Sequence, residues 1–104
     1  MDFDQFVASL GQQAPPVEAN VALRALWYDA NGRDDSAMRA AKSDDNYATL
    51  RVRAYLYRKD GDERAARRAY WQAGVEPWSG SHQAEWEDIA RAVMIETIVE
   101  RSYL

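Results

Sequence analysis

The sequence predicts an all-α protein, and three observations lead to that prediction. Apolar residues recur every three to four positions through most of the chain, which is the period of an amphipathic helix. No segment has the sustained apolar–polar alternation of a half-buried strand. Glycine, proline and serine are concentrated between the periodic segments, where they indicate turns. We therefore expect two helical hairpins in one domain, preceded by a short helix and followed by a long one.

The first element, residues 1–16, is predicted to be a short helix followed by a proline linker. One face of this helix carries Phe3, Phe6, Val7 and Leu10, at positions i, i+3, i+4 and i+7. Asp2 is expected to cap the helix and Gly11 to end it. Because so short a helix is unstable alone in water, it must dock on the rest of the chain.

The first hairpin is predicted to cover residues 17–43. Pro16 suits the first helical turn, since its missing N–H would have no helical partner there. Gly32 is expected to end the first helix. Asp34 or Asp35 then caps a second helix, whose inner residues are Ala37, Ala40 and Ala41.

The second hairpin is predicted to cover residues 44–74. Ser43 or Asp44 is expected to cap its first helix, Gly61 to turn the chain and Asp62 to cap its second helix. One face of the first helix carries Tyr47, Leu50, Ala54 and Tyr57, and Val52, Tyr55 and Leu56 flank another. The inner face of the second is Ala65, Ala66, Ala69, Tyr70 and Ala73.

The last helix is predicted to start near Ser81 and to fill residues 81–104. Its inner face is Trp86, Ile89, Ala90, Val93, Met94 and Thr97. Further apolar residues widen this surface beyond a single stripe: Ile95, Ile98, Val99 and Leu104. Because large apolar patches rarely stay solvated, these four residues predict self-association, as a homodimer for example.

The two hairpins are copies of one plan, because the middle of the sequence overlays itself after a shift of 29 residues. Gly32 then meets Gly61, and Ala37 meets Ala66. The triplet 26–28, Leu-Trp-Tyr, meets the triplet 55–57, Tyr-Leu-Tyr. Two such hairpins bury a shared seam that neither could bury alone.

This spacing resembles the tetratricopeptide repeat. The second copy offers Leu50, Ala54, Tyr57, Ala66 and Ala73, with Pro77 near the closing proline of that pattern. The first copy matches at Val21, Ala25, Tyr28 and Ala37, but has Asp44 where the second alanine belongs. The repeat is also shorter than in that family, so the resemblance implies tetratricopeptide-like hairpins rather than a long array with a concave groove.

Residues 23–90 also resemble a family of small uncharacterised helical proteins of bacteria. The family motif is close to W-V-H-A-Y-L-H-R-x-E-G-D followed by N-A-x-Y-W-Y-x-x-A-G. This chain has "RVRAYLYRKDGD" and then "AARRAYWQAG". Arg53 and Tyr57 replace the two histidines of the motif, so any metal-binding role of those histidines is absent here. The family implies no activity.

Composition favours an ordinary soluble protein. Of 104 residues, 47% are hydrophobic and 29% charged, with a net charge of −4 and no cysteine. The absence of cysteine excludes disulfides and thiolate chemistry and fits a reducing cytoplasm. The acidic start "MDFDQFVASL" does not resemble a signal peptide, and no apolar stretch approaches the ~20 residues that span a bilayer. We expect a cytoplasmic protein with no membrane association.

No residue pattern predicts an enzyme, a cofactor or a metal site. His82 is the only histidine and stands in a Ser/Gly-rich loop. Nearby Glu85 could hydrogen-bond it for a catalytic or ligand role, but a residue at the entry of a helix is the simpler interpretation. The pairs Asp34-Asp35 and Asp44-Asp45 stand at predicted helix starts, where capping explains them. The sequence has neither a glycine-rich phosphate loop nor a serine nucleophile motif.

The basic segment 51–68 supplies the candidate interaction residues, together with two tryptophans: Arg51, Arg58, Arg64, Arg67, Arg68, Trp71 and Trp78. Such a face could bind an anionic ligand or nucleic acid, but an isoelectric point near 4.9 disfavours nucleic acid. The alternative is ion pairing with the acidic residues Glu85, Glu87, Asp88, Glu96 and Glu100. Trp78 is expected to contact a partner if exposed, or to pin its loop across the second hairpin if buried. The sequence therefore predicts a non-catalytic protein–protein interaction module with an unidentified partner.

Overall fold

The chain folds into α-helices, and no β-strand occurs in the part of it that the structure describes. The computed structural model describes the backbone of residues 1–102 and the side chains of residues 1–94. The helices are α1 (Phe3–Ser9), α2 (Val21–Ala30), α3 (Asp34–Lys42), α4 (Tyr47–Lys59), α5 (Glu63–Ala73) and α6 (His82–Ser102). The all-α prediction is confirmed.

Three helices, α2, α4 and α6, are in mutual contact and form the centre of the molecule. Helix α3 packs on α2 and α4, α1 packs on α6, and α5 packs mainly on α4, with its Tyr70 reaching Glu85 of α6. The largest fully buried apolar side chains lie between these helices: Trp27, Tyr70, Phe6, Leu26 and Ile89. The outer side of α5, which carries Arg64, Arg67, Arg68 and Trp71, faces solvent.

The 29-residue spacing recurs in the backbone. Helix α2 ends at Ala30 and α4 at Lys59, while α3 begins at Asp34 and α5 at Glu63. Gly32 and Gly61 have φ angles of 72° and 84°, a left-handed conformation that favours glycine. After each glycine the next backbone N–H donates back to a tyrosine carbonyl: Arg33 to Tyr28 at 2.9 Å and Asp62 to Tyr57 at 3.0 Å. The two turns therefore share one geometry.

Small residues occupy the equivalent inner positions of both hairpins. Ala25 and Ala54 are fully buried in the first helices, and Ala37 and Ala66 are buried in the second helices. A methyl group at these positions lets the backbones of two helices approach closely. The predicted alanine-lined faces are confirmed at Ala37, Ala41, Ala66 and Ala69, whereas Ala40, Ala65 and Ala73 are only partly buried.

The predicted line of residues on α4 is wrong except at Ala54. Tyr47 is exposed and Leu50 and Tyr57 are partly buried, while the flanking residues Val52, Tyr55 and Leu56 form the buried face.

The short helix α1 docks on the core, as its length requires. Phe6 stacks on Trp86 with ring centroids 5.8 Å apart. The indole N–H of Trp27 donates to the Ser9 carbonyl at 3.0 Å, which ties the end of α1 to α2. Asp2 caps the helix in a capping box with Gln5, as predicted for Asp2, and the helix ends at Ser9, two residues before Gly11.

Helix α2 starts later than predicted. It begins at Val21, because the Asn20 side chain accepts a hydrogen bond from the Leu23 N–H and so fixes the N-terminus there. The segment after Pro16 forms a turn instead, in which the Ala19 N–H donates to the Pro16 carbonyl. Val17, expected to be helical, is 97% exposed.

Two predicted caps are also wrong. The N-cap position of α3 is Arg33, with no side-chain hydrogen bond, while Asp34 and Asp35 lie in the first turn, where they face the helix dipole favourably. Helix α4 is capped by Asn46, whose side chain and backbone bond reciprocally with Thr49, and not by Ser43 or Asp44. This shift places Tyr47 in the first turn, where it is partly exposed.

The start of α6 agrees with the prediction, because the Ser81 hydroxyl accepts from the Ala84 N–H at 3.0 Å. The inner face of this helix is buried as far as it is described: Trp86, Ile89, Ala90, Val93 and Met94. The Thr97 side chain and the four residues predicted to support self-association lie outside the described side chains: Ile95, Ile98, Val99 and Leu104.

Candidate functional site

A fully buried carboxylate, Glu85, connects three helices. One of its oxygens lies 3.1 Å from the Arg51 Nη1 of α4, and the other lies 3.3 Å from the Arg58 Nη1. The Tyr70 hydroxyl of α5 donates a 2.5 Å hydrogen bond to the same carboxylate. Removal of any partner would leave a buried charge with fewer compensating bonds, so the cluster locks α4, α5 and α6 in register.

Tyr70 is held neutral in this cluster. Burial and the hydrogen bond to Glu85 raise the pKa of Tyr70 from 10.0 to about 12, against smaller opposing effects of the Trp78 backbone and of Arg51. The Arg51 guanidinium also lies 5.6 Å from the Tyr70 ring centroid, a cation–π contact. At neutral pH the hydroxyl is therefore a permanent hydrogen-bond donor rather than an acid–base group.

Arg51 and Arg58 do not belong to a solvent-facing basic surface. Arg51 is buried and also lies 3.8 Å from the Asp88 carboxylate. Arg58 is partly buried and donates to the Gly80 carbonyl at 2.6 Å. For these two arginines the alternative of ion pairing with the last helix is confirmed, because their anionic partners are on α6.

A second buried carboxylate, Asp29, links α2 to α4. The Tyr55 hydroxyl donates to one of its oxygens at 2.6 Å, and the Lys59 ammonium lies 2.7 Å from the other. Burial and the neighbouring Asp29 raise the pKa of Tyr55. Sequence analysis missed this triad, although the i, i+4 spacing of Tyr55 and Lys59 places both on one face of α4.

The outer face of α5 carries the remaining predicted arginines. Arg64, Arg67, Arg68 and Trp71 follow one another at i, i+3, i+4 and i+7, and all are exposed. Trp71 is 81% exposed. Arg67 forms a long 3.8 Å ion pair with Glu63, whereas Arg64 and Arg68 pair with no described side chain. We call these four residues the Arg/Trp face.

Trp78 is half-buried and packs on the alanine-rich cluster of the second hairpin. Its indole N–H donates to the Ser81 carbonyl at 3.1 Å, which closes the loop before α6. Gly80 fits beneath the ring, since a Cβ there would lie only 2.9 Å from the indole nitrogen. Of the two roles predicted for Trp78, the structure has it pinning the loop.

Most positions that match the bacterial family motif have structural roles. Gly61 and Gly74 have positive φ angles that end α4 and α5. Tyr55 and Arg58 hold the buried carboxylates, and Asp62 caps α5. The motif therefore encodes the hairpin and its ion pairs, and membership of that family stays a prediction.

The histidine and the acidic residues do not form a metal-binding cluster within the part of the chain that the structure describes. His82 is exposed at the first position of α6. No group of three or more His, Cys, Asp or Glu side chains within residues 1–94 could hold a metal ion. Over the described residues, no helix combines the length and the apolar character that crossing a membrane requires.

Comparison with family models, with curated proteins and with solved structures gave no match in any of the three. Within residues 1–94, Trp71 of the Arg/Trp face is the most exposed large aromatic side chain.

Proposed function

We propose that this chain is a non-catalytic helical module that binds a protein partner through the Arg/Trp face. The observation that carries the proposal is the exposure of Trp71, at 81% of its surface, in the last turn of a folded helix. Burying an aromatic side chain of this size against a partner contributes favourably to the free energy of binding, compared with leaving it in water.

The neighbours of Trp71 indicate the chemistry of the partner. Tryptophan and arginine are the residues most enriched at the energetic centres of protein interfaces. Arg64 and Arg68 have guanidinium groups that no described side chain satisfies, so they are free to form bidentate bonds with carboxylates. An acidic protein surface with an apolar recess is the partner class that these residues fit.

The scaffold supports this role. Glu85 and Asp29 fix the helices through buried ion pairs, so α5 is held rigidly while its outer face stays open. Rigid presentation lowers the entropy that binding must overcome. We also propose that the two hairpins are tetratricopeptide-like units acting in the cytoplasm, which the repeated glycine turns and the absence of cysteine support.

A photoreactive amino acid in place of Trp71 tests the proposal. Cross-links to an acidic partner are expected from this position, and not from a matched probe at Arg39 on the exposed side of α3. With the captured partner purified, Arg64→Glu/Arg68→Glu should weaken binding at least tenfold. The charge-matched control Arg24→Glu/Arg39→Glu should leave binding unchanged. Equal losses in the two variants would show that net charge, and not this face, governs binding.

Binding of an anionic ligand or nucleic acid is the second candidate. Arginines beside an exposed tryptophan can hold phosphates and stack a base. The net charge of −4 opposes this candidate, because it repels a polyanion as a whole. Anisotropy of a labelled single-stranded oligonucleotide should stay constant up to about 100 µM protein at physiological salt, a concentration at which non-specific binders are half-saturated or more. A rise in anisotropy with protein concentration that Arg64→Glu/Arg68→Glu abolishes would favour nucleic-acid binding instead.

A further inference from the structure

The Arg/Trp face has a complementary surface on the same chain. A cleft of about 350 Å³ opens between the two glycine turns, at the end of the molecule where α2 and α4 finish. Its rim carries Asp34, Asp35 and Asp60, and Met38, Leu56 and Tyr57 form its apolar lining. This volume is at the small end of ligand pockets and suits one aromatic side chain.

The rim carboxylates are available for a partner. Asp34, Asp35 and Asp60 are exposed and form no ion pair with any described side chain. The two other aspartates of the cleft are already engaged. Asp29 is neutralised by Lys59, and Asp62 accepts the capping hydrogen bond from Ala65.

The cleft cannot receive the Trp71 of its own chain. The cleft lies at the N-terminal end of α5, next to Asp62, whereas Trp71 comes eight residues after the first residue of that helix. At 1.5 Å per residue the indole is about 12 Å further along the axis, on the outer side of a rigid helix. Only another molecule can bring the two surfaces together.

We infer that the cleft of one copy receives the Arg/Trp face of a second copy, with Trp71 against the apolar lining and Arg64 and Arg68 on the rim aspartates. This inference rests on the proposed function and names the partner as the chain itself. The two surfaces differ, so the contact is head-to-tail and can extend beyond a dimer. Because rim charges drive it, association weakens as salt is added.

Two variants, in which uncharged side chains replace the charged ones, test the inference. The face variant is Arg64→Ala/Arg68→Ala/Trp71→Ala, and the cleft variant is Asp34→Asn/Asp35→Asn/Asp60→Asn. Sedimentation of the wild type should show an average mass that rises with concentration, and each variant alone should stay monomeric. An equimolar mixture has one intact pair of surfaces and should give a one-to-one heterodimer and nothing larger.

The controls separate folding from docking. Arg24→Ala/Arg39→Ala removes two equally exposed arginines and should associate as the wild type does. Should the cleft variant lose its circular dichroism signal, Asp60→Asn alone replaces it. That change removes a negative charge from the C-cap of α4, where the helix dipole disfavours it, and should still weaken association several-fold.

Three results would overturn the inference: a monomeric wild type at about 1 mM, where even weak complexes are populated; variants that associate as well as the wild type; or a mixture that stays monomeric. The first of these leaves the proposed function standing, because a different acidic protein can still cross-link to position 71. If position 71 gave no cross-link and the face variant associated as strongly as the wild type, both the proposed function and this inference would be refuted.

Discussion

Asp29 and Arg58 occupy equivalent positions of the 29-residue repeat and carry opposite charges, yet each forms an ion pair with the next central helix. The Asp29 carboxylate of α2 lies 2.7 Å from the Lys59 ammonium of α4, and the Arg58 guanidinium of α4 lies 3.3 Å from the Glu85 carboxylate of α6. The sign of the charge alternates from one helix interface to the next. If α2 packed on α6 in the place of α4, the Asp29 carboxylate would face the Glu85 carboxylate. This repulsion makes the order of the helices specific.

We predict that Glu85→Ala destabilises the fold strongly. The change leaves Arg51 buried without its main carboxylate and removes the acceptor of the Tyr70 hydroxyl. Breaking one side of a buried ion pair costs about 3–5 kcal/mol. Urea unfolding followed by circular dichroism measures the change. Glu87→Ala, two residues along the same helix and less buried, is the control and should cost less than about 1 kcal/mol; an equal cost at the two sites would refute the buried network.

We predict that Gly61→Ala destabilises the protein through backbone conformation alone. The φ of Gly61 is 84°, and a Cβ built there meets no atom within 4 Å, so steric contact contributes nothing. Forcing an L-residue into the left-handed region costs about 1–2 kcal/mol. Gly11 offers a matched control, because it also has open space around it but no positive φ. Thermal unfolding should show Gly11→Ala to be neutral or slightly stabilising, so a loss of similar size in both variants would contradict the turn geometry.

We predict that alkaline pH weakens the wild type through Tyr70. The folded-state pKa of about 12 exceeds the unfolded value of 10.0, so this stabilisation is complete below pH 10 and falls as the pH rises towards 12. The loss should reach about 1 kcal/mol by pH 11. The groups that face the hydroxyl are the Glu85 carboxylate and the Arg51 guanidinium.

Denaturant unfolding at pH 8 and pH 11 checks this dependence. Tyr70→Phe should lose stability at pH 8, because the Glu85 oxygen loses a donor, and should then show a smaller further loss at pH 11. Tyr47→Phe changes a partly exposed tyrosine, and its stability should depend on pH as that of the wild type does. Identical pH slopes for wild type and Tyr70→Phe would show that the hydroxyl is not the titrating group.

The glycine turns were predictable from the sequence, because a left-handed residue at a helix end is a local requirement that glycine meets at low cost. Asn20 and Asn46 were missed as caps for a related reason: several neighbouring polar residues compete for the same role, and local sequence does not rank them. The Asp29–Tyr55–Lys59 triad was missed because its members come from two helices. Their meeting depends on how α2 packs against α4.

The sequence by itself determined that the chain is helical, where its hairpins turn and which faces are lined with alanine, since periodicity and glycine act over a few residues. Only the tertiary structure decided which charges became structural. Arg51 and Arg64 look alike in the sequence, but α6 brings Glu85 to the first and leaves the second in solvent. The physical reason is desolvation, which demands a partner for every buried charge and none for an exposed one.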